Sequence, residues 1–505
     1  MQSRPQIPLL FATFVIATAG LVYELLAGTV SSYLFGDSVF RFSLVIGLFM
    51  SAMGIGAWLS RHVSDVEGAF VATQIMLALA GGLSALILFL AFVLIDAHDA
   101  LLLTLCILIG TLVGLEIPLV LRILEERSEL RINISNILTA DYIGALAAAL
   151  LFPLVLVPQL GLIRTALLFG LLNMATAAMA AMLFDRKRAF LAILPAGLLL
   201  IVAFVASERM MGFIETRLFD AEIIFSETTP YQRLVVTRER ERVQLFLNGN
   251  LQFDTLDEYR YHESLVHPAM ALAPRRQKVL ILGGGDGMAA REVARWSDVA
   301  SMTLVDIDDR MTALFRDNDM LAALNGEVLR DPRLTIVNED AWTFLEQDTG
   351  LFDIVILDLP DPHDLRISRL YSRSFYRLVA ARMSRDALLV TQATSPLFAR
   401  EAFWCIETTL AATASPWLAG VSLDTLPYHA YVPSFGEWGF VIAGTRIAHA
   451  PRHPLPAGLK FLQTSMLAAM AEFPDDMGPV EVEENTILDH PLVAYYEAGW
   501  DRWFR

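Results

Sequence analysis

Long apolar runs in the first 206 residues constrain the fold of this chain more than any other feature of its sequence. Each run is close to the roughly 20 residues that a helix needs to cross the hydrocarbon core of a bilayer. We predict about seven spans, at residues 8–28, 40–60, 70–95, 100–121, 137–157, 163–183 and 189–206. Apolar residues make up 55% of the chain, more than a soluble protein usually carries. The sequence therefore predicts a multi-span α-helical membrane domain, with the lipid bilayer as a partner.

Three carboxylates fall inside these predicted spans: Glu24, Glu116 and Asp141. A charged side chain within the bilayer is costly and usually faces the bundle interior or a water-filled cavity. Two interpretations stay open, a polar pathway for a cation and hydrogen bonding between helices. Because the first run contains Glu24 and leads into another span, we do not predict it to be a cleaved signal peptide.

Basic residues cluster in alternate loops of this domain, which predicts that these loops share the cytoplasmic side of the membrane. They are Arg61, then Arg122, Arg127 and Arg131, then Arg186, Lys187 and Arg188. With seven spans, this rule puts the rest of the chain outside the cell. The chemistry indicated by that remaining part needs a metabolite made inside cells. We therefore expect a multi-pass protein of the cell membrane whose catalytic domain is cytoplasmic, in conflict with the loop charges.

The composition changes near residue 207, where charged residues become frequent. We expect a transmembrane domain at 1–206, a small antiparallel β-domain with a helix at 207–275, and a catalytic α/β domain with a C-terminal extension at 276–505. The net charge of −17 argues against nucleic acid as a partner and is compatible with a cationic ligand. The two cysteines, Cys106 and Cys405, indicate neither a disulfide framework nor a metal site.

Periodicity predicts the elements of the second half. Alternation between residues 221 and 253, with Asn248-Gly249 as a turn signal, predicts short antiparallel strands. Residues 257–270 are predicted to form a helix. Strand and helix patterns then alternate, which predicts a doubly wound, mostly parallel sheet of the Rossmann-like, methyltransferase type. Its predicted strands are residues 279–282, 303–305, 334–337, 353–357 and 387–392.

The first of these strands ends in the sequence G-G-G-D-G at residues 283–287. Gly283 and Gly285 let backbone amides approach a ligand where a Cβ atom would collide, and the following helix start presents free N–H groups. Acidic residues end or follow the next strands: Asp306, Asp340 and Asp358. A carboxylate after the second strand commonly accepts hydrogen bonds from ribose hydroxyls. Asp306 therefore indicates a nucleoside-containing ligand.

Asp286 narrows the choice of that ligand. Its charge would repel the pyrophosphate of a dinucleotide, and equally the methionine carboxylate of ordinary S-adenosylmethionine. A ligand with a bare ammonium group would be held instead. Decarboxylated S-adenosylmethionine is such a ligand, and we expect it as a co-substrate, with no prosthetic group and no metal.

Residues 220–445 resemble the spermidine synthase (polyamine aminopropyltransferase) family. The motifs that carry the resemblance are Tyr231-Gln232, L-N-G-N-L-Q (247–252), D-E-Y-R-Y-H-E (257–263), G-G-G-D-G, V-D-I-D (305–308), E-D-A (339–341), D-L-P-D-P (358–362) and T-Q-A-T-S-P (391–396). The apolar half and the C-terminal segment 489–500 are similar to membrane-anchored bacterial members.

The resemblance implies transfer of the aminopropyl group of decarboxylated S-adenosylmethionine to an amine such as putrescine, giving spermidine or a related polyamine and methylthioadenosine. It implies a donor site of Gln232, Gly283, Gly285, Asp286, Asp306, Asp340 and Ala341, and an amine site of Tyr261, His262, Asp286 and Asp361. It implies Asp358 as the proton acceptor, and it suggests a homodimer.

The D-x-x-D pair fits this chemistry on physical grounds. A primary ammonium has a pKa of about 10 and must lose a proton before its nitrogen can attack carbon. A positioned carboxylate in a site that also desolvates the cation can take this proton. Asp358 would receive the proton while Asp361 fixes a second nitrogen.

Departures from the family pattern leave the acceptor amine open. Asn248 stands where the family usually has Asp, Thr394 stands where it often has Glu, and His363-Asp364-Leu365 replaces a frequent Gly-Pro. The segment Tyr431-Val432-Pro433 only loosely resembles the family's P-T-Y. Two other functions stay open: a methyltransferase that uses intact S-adenosylmethionine on the same fold, and a polyamine transporter or sensor with a binding domain.

Overall fold

The computed structural model describes residues 6–35, 39–94, 98–125, 130–219 and 221–504. The chain divides into two compact units, Met1–Glu222 and Ile223–Arg505, called here the helical unit and the sheet-containing unit. The last helix of the helical unit runs to Phe219, beyond the boundary expected at residue 206. Met210 and Met211, which lie beyond residue 206, still pack against the apolar core of that unit.

Seven long helices form the described part of the helical unit: α1 (Gln6–Phe35), α2 (Val39–Leu59), α3 (Val66–Leu94), α4 (His98–Glu125), α5 (Leu130–Leu151), α6 (Val157–Leu183) and α7 (Phe190–Phe219). Six stretches are long and apolar enough to cross a bilayer: Pro8–Ser31, Phe42–His62, Val66–Leu94, Asp99–Glu125, Ile134–Leu183 and Lys187–Met211. The prediction of a helical domain with several candidate spans is therefore confirmed.

The stretch Ile134–Leu183 contains 50 residues and includes two of the predicted spans. As one straight helix it would be about 75 Å long, more than twice the thickness of a hydrocarbon core. The helix breaks at Gly161, which has a φ of 72°. The Thr165 hydroxyl donates to the Leu156 carbonyl at 3.3 Å, although a continuous helix would separate these residues by about 13 Å. The chain therefore turns sharply at Gly161. Because this one stretch contains two of the predicted spans, the six apolar stretches correspond to the roughly seven spans predicted from the sequence.

The last turn of α4 and the segments after α2 and α6 contact one another. The Arg122 guanidinium donates to the carbonyls of Ser60 at 2.7 Å and Val63 at 2.9 Å. The Arg186 guanidinium donates to both carboxylate oxygens of Asp65, at 2.8 and 2.6 Å. The segments after α2 and α6 and the last turn of α4 therefore meet, and they carry Arg61, Arg122, Arg186, Lys187 and Arg188; Arg127 lies outside the described residues.

The sheet-containing unit begins with a four-stranded antiparallel sheet in the order β1 (Glu222–Thr228), β2 (Arg233–Glu239), β3 (Arg242–Leu247) and β4 (Asn250–Asp254). Asn248 and Gly249 join β3 to β4 with φ values of 52° and 87°, the left-handed conformation that a two-residue hairpin turn requires. Helix α8 (Glu258–Leu272) follows and is almost entirely buried.

The second sheet has seven strands in the order β10-β11-β9-β8-β5-β6-β7. Its strands are β5 (Lys278–Gly283), β6 (Ser301–Asp306), β7 (Leu334–Asn338), β8 (Phe352–Asp358), β9 (Met383–Gln392), β10 (Asp424–Val432) and β11 (Gly436–Gly444). The first five pair in parallel, whereas β11 and β10 extend the sheet antiparallel beyond β9. The predicted doubly wound fold class is therefore confirmed, with two antiparallel strands added.

Helices cover both faces of this sheet. They are α9 (Met288–Ala294), α10 (Asp309–Asp317), α11 (Asp319–Leu324), α12 (Ala341–Glu346), α13 (Leu365–Ser368), α14 (Arg373–Ala381), α15 (Arg400–Ala411), α16 (Met466–Met470) and α17 (Pro491–Phe504). In β5, Val279 and Ile281 enter one apolar core while Leu280 and Leu282 enter another. A strand buried on both faces reads as a continuous apolar run, which is why the alternation of polar and apolar residues is absent from β5.

Candidate active site

The carboxyl ends of β8, β5 and β6 lie side by side and bring the predicted site residues to one edge of the sheet. Gly283 pairs with Asp358 in the parallel register of β5 and β8. Asp306 ends the neighbouring β6, and the Glu339 amide, just after β7, donates to the Asp306 carbonyl at 3.1 Å. Ligands bind outside this edge in sheets of this kind.

The glycine turn after β5 packs against two of these acids. Gly283 and Gly284 have φ values of 83° and 65°. A Cβ atom on Gly284 would lie 2.8 Å from Asp358 Oδ2, and one on Gly285 would lie 2.6 Å from Asp306 Oδ2. Glycine is therefore required both for the backbone conformation and for the approach to the carboxylates.

Asp306 is anchored by backbone amides. The Gly285 amide donates to Oδ2 at 2.9 Å, and the Asp308 amide donates to Oδ1 at 2.8 Å. Burial raises the pKa of Asp306 to about 6, with the two amides opposing this effect. A carboxylate accepts up to about four hydrogen bonds, so Asp306 keeps capacity for ligand hydroxyls.

Gln232 does not point freely into the site. Its amide Nε2 donates to Oδ2 of the buried Asp308 at 3.0 Å, and the Thr229 hydroxyl donates to the same oxygen at 2.9 Å. Asp308 also accepts from the Arg310 amide and so caps α10. Asp308 therefore ties the antiparallel sheet to the loop after β6, and Gln232 is held by this link.

Asp286 and His262 are both buried, and the charge of each acts on the other. Burial raises the pKa of Asp286, and the positive charge of His262 opposes this rise. The Met288 amide donates to Asp286 Oδ1 at 2.9 Å at the start of α9. Asp286 is 8% exposed and His262 is 3% exposed, so both charges are shielded from water.

A buried ion pair holds His262 from behind. His262 Nδ1 lies 2.9 Å from both the backbone carbonyl and the Oε2 atom of Glu258. Arg291 donates two hydrogen bonds to Glu258, at 2.8 and 3.1 Å. Burial alone would lower the pKa of His262, but the hydrogen bond and charge of Glu258 outweigh it and raise this pKa to about 9. His262 is therefore an imidazolium at neutral pH.

Asp358 accepts a hydrogen bond from the Tyr261 hydroxyl at 2.9 Å on Oδ1. Burial raises the pKa of Asp358, whereas the charge of His262 and the Tyr261 hydroxyl lower it. Tyr261 and His262 are consecutive residues in the first turns of α8. One helix thus delivers both groups that favour the ionised form of Asp358.

Asp361 lies under the C-terminal helix. The Tyr496 hydroxyl of α17 donates to Oδ2 at 3.0 Å, and the Gln392 amide donates to Oδ1 at 3.3 Å. Burial raises the pKa of Asp361 to about 6, and these two donors oppose the rise. Thr394, in the motif after β9, is fully buried with a φ of 56°.

Asp340 and Ala341 lie at the start of α12. Asp340 Oδ1 accepts from the amides of Trp342 and Thr343, and Oδ2 pairs with Arg369 at 2.5 Å. A cleft of about 460 Å³ opens here. Its lining residues are Asp340, Trp342, Thr343, Leu365, Arg366, Arg369, Ile487 and His490. In the described parts of the chain, no group of three or more His, Cys, Asp or Glu side chains is arranged to hold a metal ion.

Several partners of the site residues were not foreseen from the sequence. Glu258 could have been found, because it precedes His262 by four residues on a helix and therefore lies on the same face. Asp308 belongs to a noted motif, but nothing in its spacing indicates the bond to Gln232. Tyr496 lies 135 residues from Asp361, and no local pattern signals their contact.

The sequence of this chain is similar to those of proteins from one family. Residues 258–448 match the spermine/spermidine synthase domain. The chain is 44% identical to the polyamine aminopropyltransferase of Leptospira interrogans serogroup Icterohaemorrhagiae serovar copenhageni, over 98% of this chain and 99% of that protein. It is 45% identical to polyamine aminopropyltransferase 2 of Ralstonia nicotianae, over 97% of this chain and 98% of that protein.

Among solved structures, the chain is similar to spermidine synthase from Thermotoga maritima. The TM-score is 0.45 and the identity is 23%, with 50% of this chain and 85% of that chain covered. The two curated relatives extend through both the helical unit and the sheet-containing unit. This chain therefore belongs to the polyamine aminopropyltransferase family.

Proposed function

We propose that Asp358 is the proton acceptor of an aminopropyl transfer at the carboxyl edge of the second sheet. The family activity uses decarboxylated S-adenosylmethionine as co-substrate and gives spermidine. The observation that carries the assignment is the position of Asp358, which lies against the glycine turn and receives the Tyr261 hydroxyl at 2.9 Å. The nearby positive charge of His262 favours the ionised carboxylate that a base must have.

The donor fits the glycine turn and its neighbouring acids. Asp306 would accept hydrogen bonds from the ribose hydroxyls, and the turn of Gly283 and Gly285 leaves space where a side chain would collide. Asp286 would hold the ammonium group of the aminopropyl arm. Intact S-adenosylmethionine carries a carboxylate next to that ammonium, and Asp286 would repel it.

The acceptor fits between the two carboxylates of the D-x-x-D motif. Asp361 would bind the distal ammonium of a diamine such as putrescine, and Asp358 would take the proton from the attacking nitrogen. The nitrogen lone pair then forms a bond to the aminopropyl carbon beside sulfur. The bond between that carbon and sulfur breaks, and its electron pair leaves on the sulfur of methylthioadenosine. The ionised carboxylate thus lowers the barrier by removing a proton that an ammonium would otherwise retain.

Replacement of Asp358 by Asn tests this assignment. The change keeps the size of the side chain and its capacity to accept from Tyr261, but removes the base. We expect kcat to fall by about 10²- to 10⁴-fold while decarboxylated S-adenosylmethionine still binds, as measured by calorimetry. Asp348→Asn is the matched control, because that carboxylate is 95% exposed. A variant at position 358 with normal turnover would show that another group takes the proton.

We further propose that the helical unit lies in the cell membrane, that the sheet-containing unit is cytoplasmic, and that the protein is a homodimer. The six apolar stretches support the membrane location, and the cytoplasmic origin of the donor supports the orientation. The basic loops favour the opposite orientation. Limited proteolysis of vesicles decides between them: cleavage of the sheet-containing unit only in inverted vesicles is expected, and cleavage only in right-side-out vesicles would reverse the assignment. Light scattering of the detergent-solubilised protein measures its mass as monomer or dimer.

A further inference from the structure

Four of the polar side chains that are buried in the described part of the helical unit lie on four different helices. Tyr23 of α1, Gln74 of α3, Glu116 of α4 and Asn173 of α6 are each at most 1% exposed. We call them the membrane polar cluster. The other two carboxylates predicted within spans, Glu24 and Asp141, remain partly exposed.

The members of the membrane polar cluster are joined in two pairs. Gln74 Nε2 donates to Glu116 Oε1 at 2.5 Å, and Asn173 Nδ2 donates to the Tyr23 hydroxyl at 3.1 Å. The two pairs meet at one face of α3: Gln74 lies on this helix, and a Cβ atom on Gly81, two turns further along the same face, would lie 2.5 Å from Cζ of Tyr23.

Glycines hold the helices around this cluster close together. A Cβ atom on Gly81 would lie 2.5 Å from Cζ of Tyr23, and one on Gly170 would lie 2.8 Å from the Ala78 carbonyl oxygen. Small residues at helix contacts allow close approach of this kind in membranes. The polar side chains are therefore held in fixed positions and do not extend into the lipid.

Three acceptor oxygens of the cluster have no hydrogen-bond partner in the described part of the chain. Among the described residues, Gln74 Oε1, Glu116 Oε2 and Asn173 Oδ1 are buried with no hydrogen bond. Each unsatisfied buried polar atom costs about 1–3 kcal/mol, and an ionised carboxylate without a countercharge costs more. Within the same part of the chain, the one hydrogen bond recorded for the Glu116 carboxylate comes from the neutral Gln74.

We propose that the membrane polar cluster is a binding site for a primary ammonium group. An –NH3⁺ group brings three N–H donors and one positive charge. The cluster presents three free acceptor oxygens and one carboxylate, so donors and charge match in number. A quaternary ammonium has the charge but no N–H donors, and should not bind. The site itself follows from the helical unit alone, whereas the choice of a diamine as the ligand that carries the ammonium rests on the proposed function.

Equilibrium dialysis of the full-length, detergent-solubilised protein with radiolabelled 1,4-diaminobutane tests this site. The wild type should bind two molecules per chain, one in each unit. Asp361→Asn should remove the molecule at the sheet edge, and Glu116→Gln should weaken the other by about 100-fold or more, because a buried cation would lose its countercharge. Glu24→Gln is the matched control, a carboxylate on α1 outside the cluster, and should keep both.

Further measurements separate this site from the catalytic one and from a metal site. Glu116→Gln should retain aminopropyl transfer, and this activity also shows that the variant folds. If Glu116→Gln does not fold, Asn173→Leu is used in its place and should weaken the binding of the same molecule in the helical unit. Methylammonium should compete and tetramethylammonium should not. One molecule per chain that is lost in Asp361→Asn would overturn the membrane site and leave the proposed function intact. A wild-type protein that shows no transfer activity but still binds one molecule in the helical unit would overturn the proposed function and leave the membrane site intact. Displacement by Na⁺ but not by methylammonium would overturn the ammonium assignment in favour of a metal cation.

Discussion

Replacing Glu258 by Gln should deprotonate His262 near neutral pH while the imidazole side chain stays in place. Glu258 is buried, accepts two hydrogen bonds from Arg291, and lies 2.9 Å from His262 Nδ1. Gln has the same shape but no charge. We therefore expect the substitution to keep the packing of α8 and to remove the main cause that holds His262 protonated.

The size of the effect follows from the pKa of His262. The difference between about 9 in the folded protein and 6.5 for an ordinary histidine corresponds to about 3.4 kcal/mol. In the variant, only the charges of Asp358 and Asp286 still oppose the effect of burial, and the pKa of His262 should fall to about 6.5. At pH 7.5 the protonated fraction of His262 should drop from about 97% to about 10% or less. Because His262 lowers the pKa of both Asp286 and Asp358, the acid limb of kcat/KM should move to higher pH.

The same shift predicts a change in stability with pH. A raised pKa in the folded state stabilises the protein fully below pH 6.5, and this contribution is lost as pH rises through about 9. The free energy of unfolding of the wild type should therefore decline over that range, and the Glu258→Gln variant should lack this part of the decline.

Heteronuclear NMR of ¹⁵N-labelled histidine measures the His262 titration directly, and His262→Gln identifies its signal. The exposed Glu241→Gln serves as the matched control. Titration of His262 near pH 9 in both the wild type and Glu258→Gln would refute the reasoning, because another group would then hold the proton. A fall in the pKa of His262 without any change in the pH profile of kcat/KM would show that the charge of His262 does not act on the reacting groups.

Three further predictions concern the sheet edge. Tyr496→Phe removes a hydrogen-bond donor to Asp361 and should raise the KM for the acceptor by about tenfold at pH 7. The KM for the donor should stay unchanged, and Tyr495→Phe is the control. An unchanged KM for the acceptor would exclude this contact from amine binding. Gly285→Ala should displace Asp306, which a Cβ atom would approach to 2.6 Å, and calorimetry should show at least about tenfold weaker donor binding; normal affinity would contradict the assigned donor position. Protonation of Asp361 near pH 6 should make kcat/KM for the acceptor fall below that pH, and a flat profile down to pH 5 would remove Asp361 from the acceptor site.

The parallel core of the fold could be predicted from local patterns, because each of its predicted strands is a mainly apolar run of three to six residues bounded by turns or acids. Strands β10 and β11 could not. Strand β10 contains Pro427 and alternates polar with apolar side chains, as suits an edge strand but gives a weak signal. Strand β11 is apolar, but its pairing with β9 depends on residues about 50 positions apart.

The site was predictable to the extent that chain direction fixes it. Parallel strands place their carboxyl ends together, so acids that end or follow successive strands must meet at one edge. Side-chain partners depend on contacts that no periodicity encodes, such as Tyr496 with Asp361 and Gln232 with Asp308. These partners fix the positions of the carboxylates, and only the three-dimensional structure reveals them.

Product identification tests the central claim most directly. The purified full-length protein is mixed with decarboxylated S-adenosylmethionine and a panel of amines that includes putrescine, and the products are analysed by mass spectrometry. We expect methylthioadenosine and an aminopropylated amine in equal amounts, with spermidine formed from putrescine and no product from intact S-adenosylmethionine. Methylated amine and S-adenosylhomocysteine from the intact donor, with no methylthioadenosine from the decarboxylated one, would contradict the account.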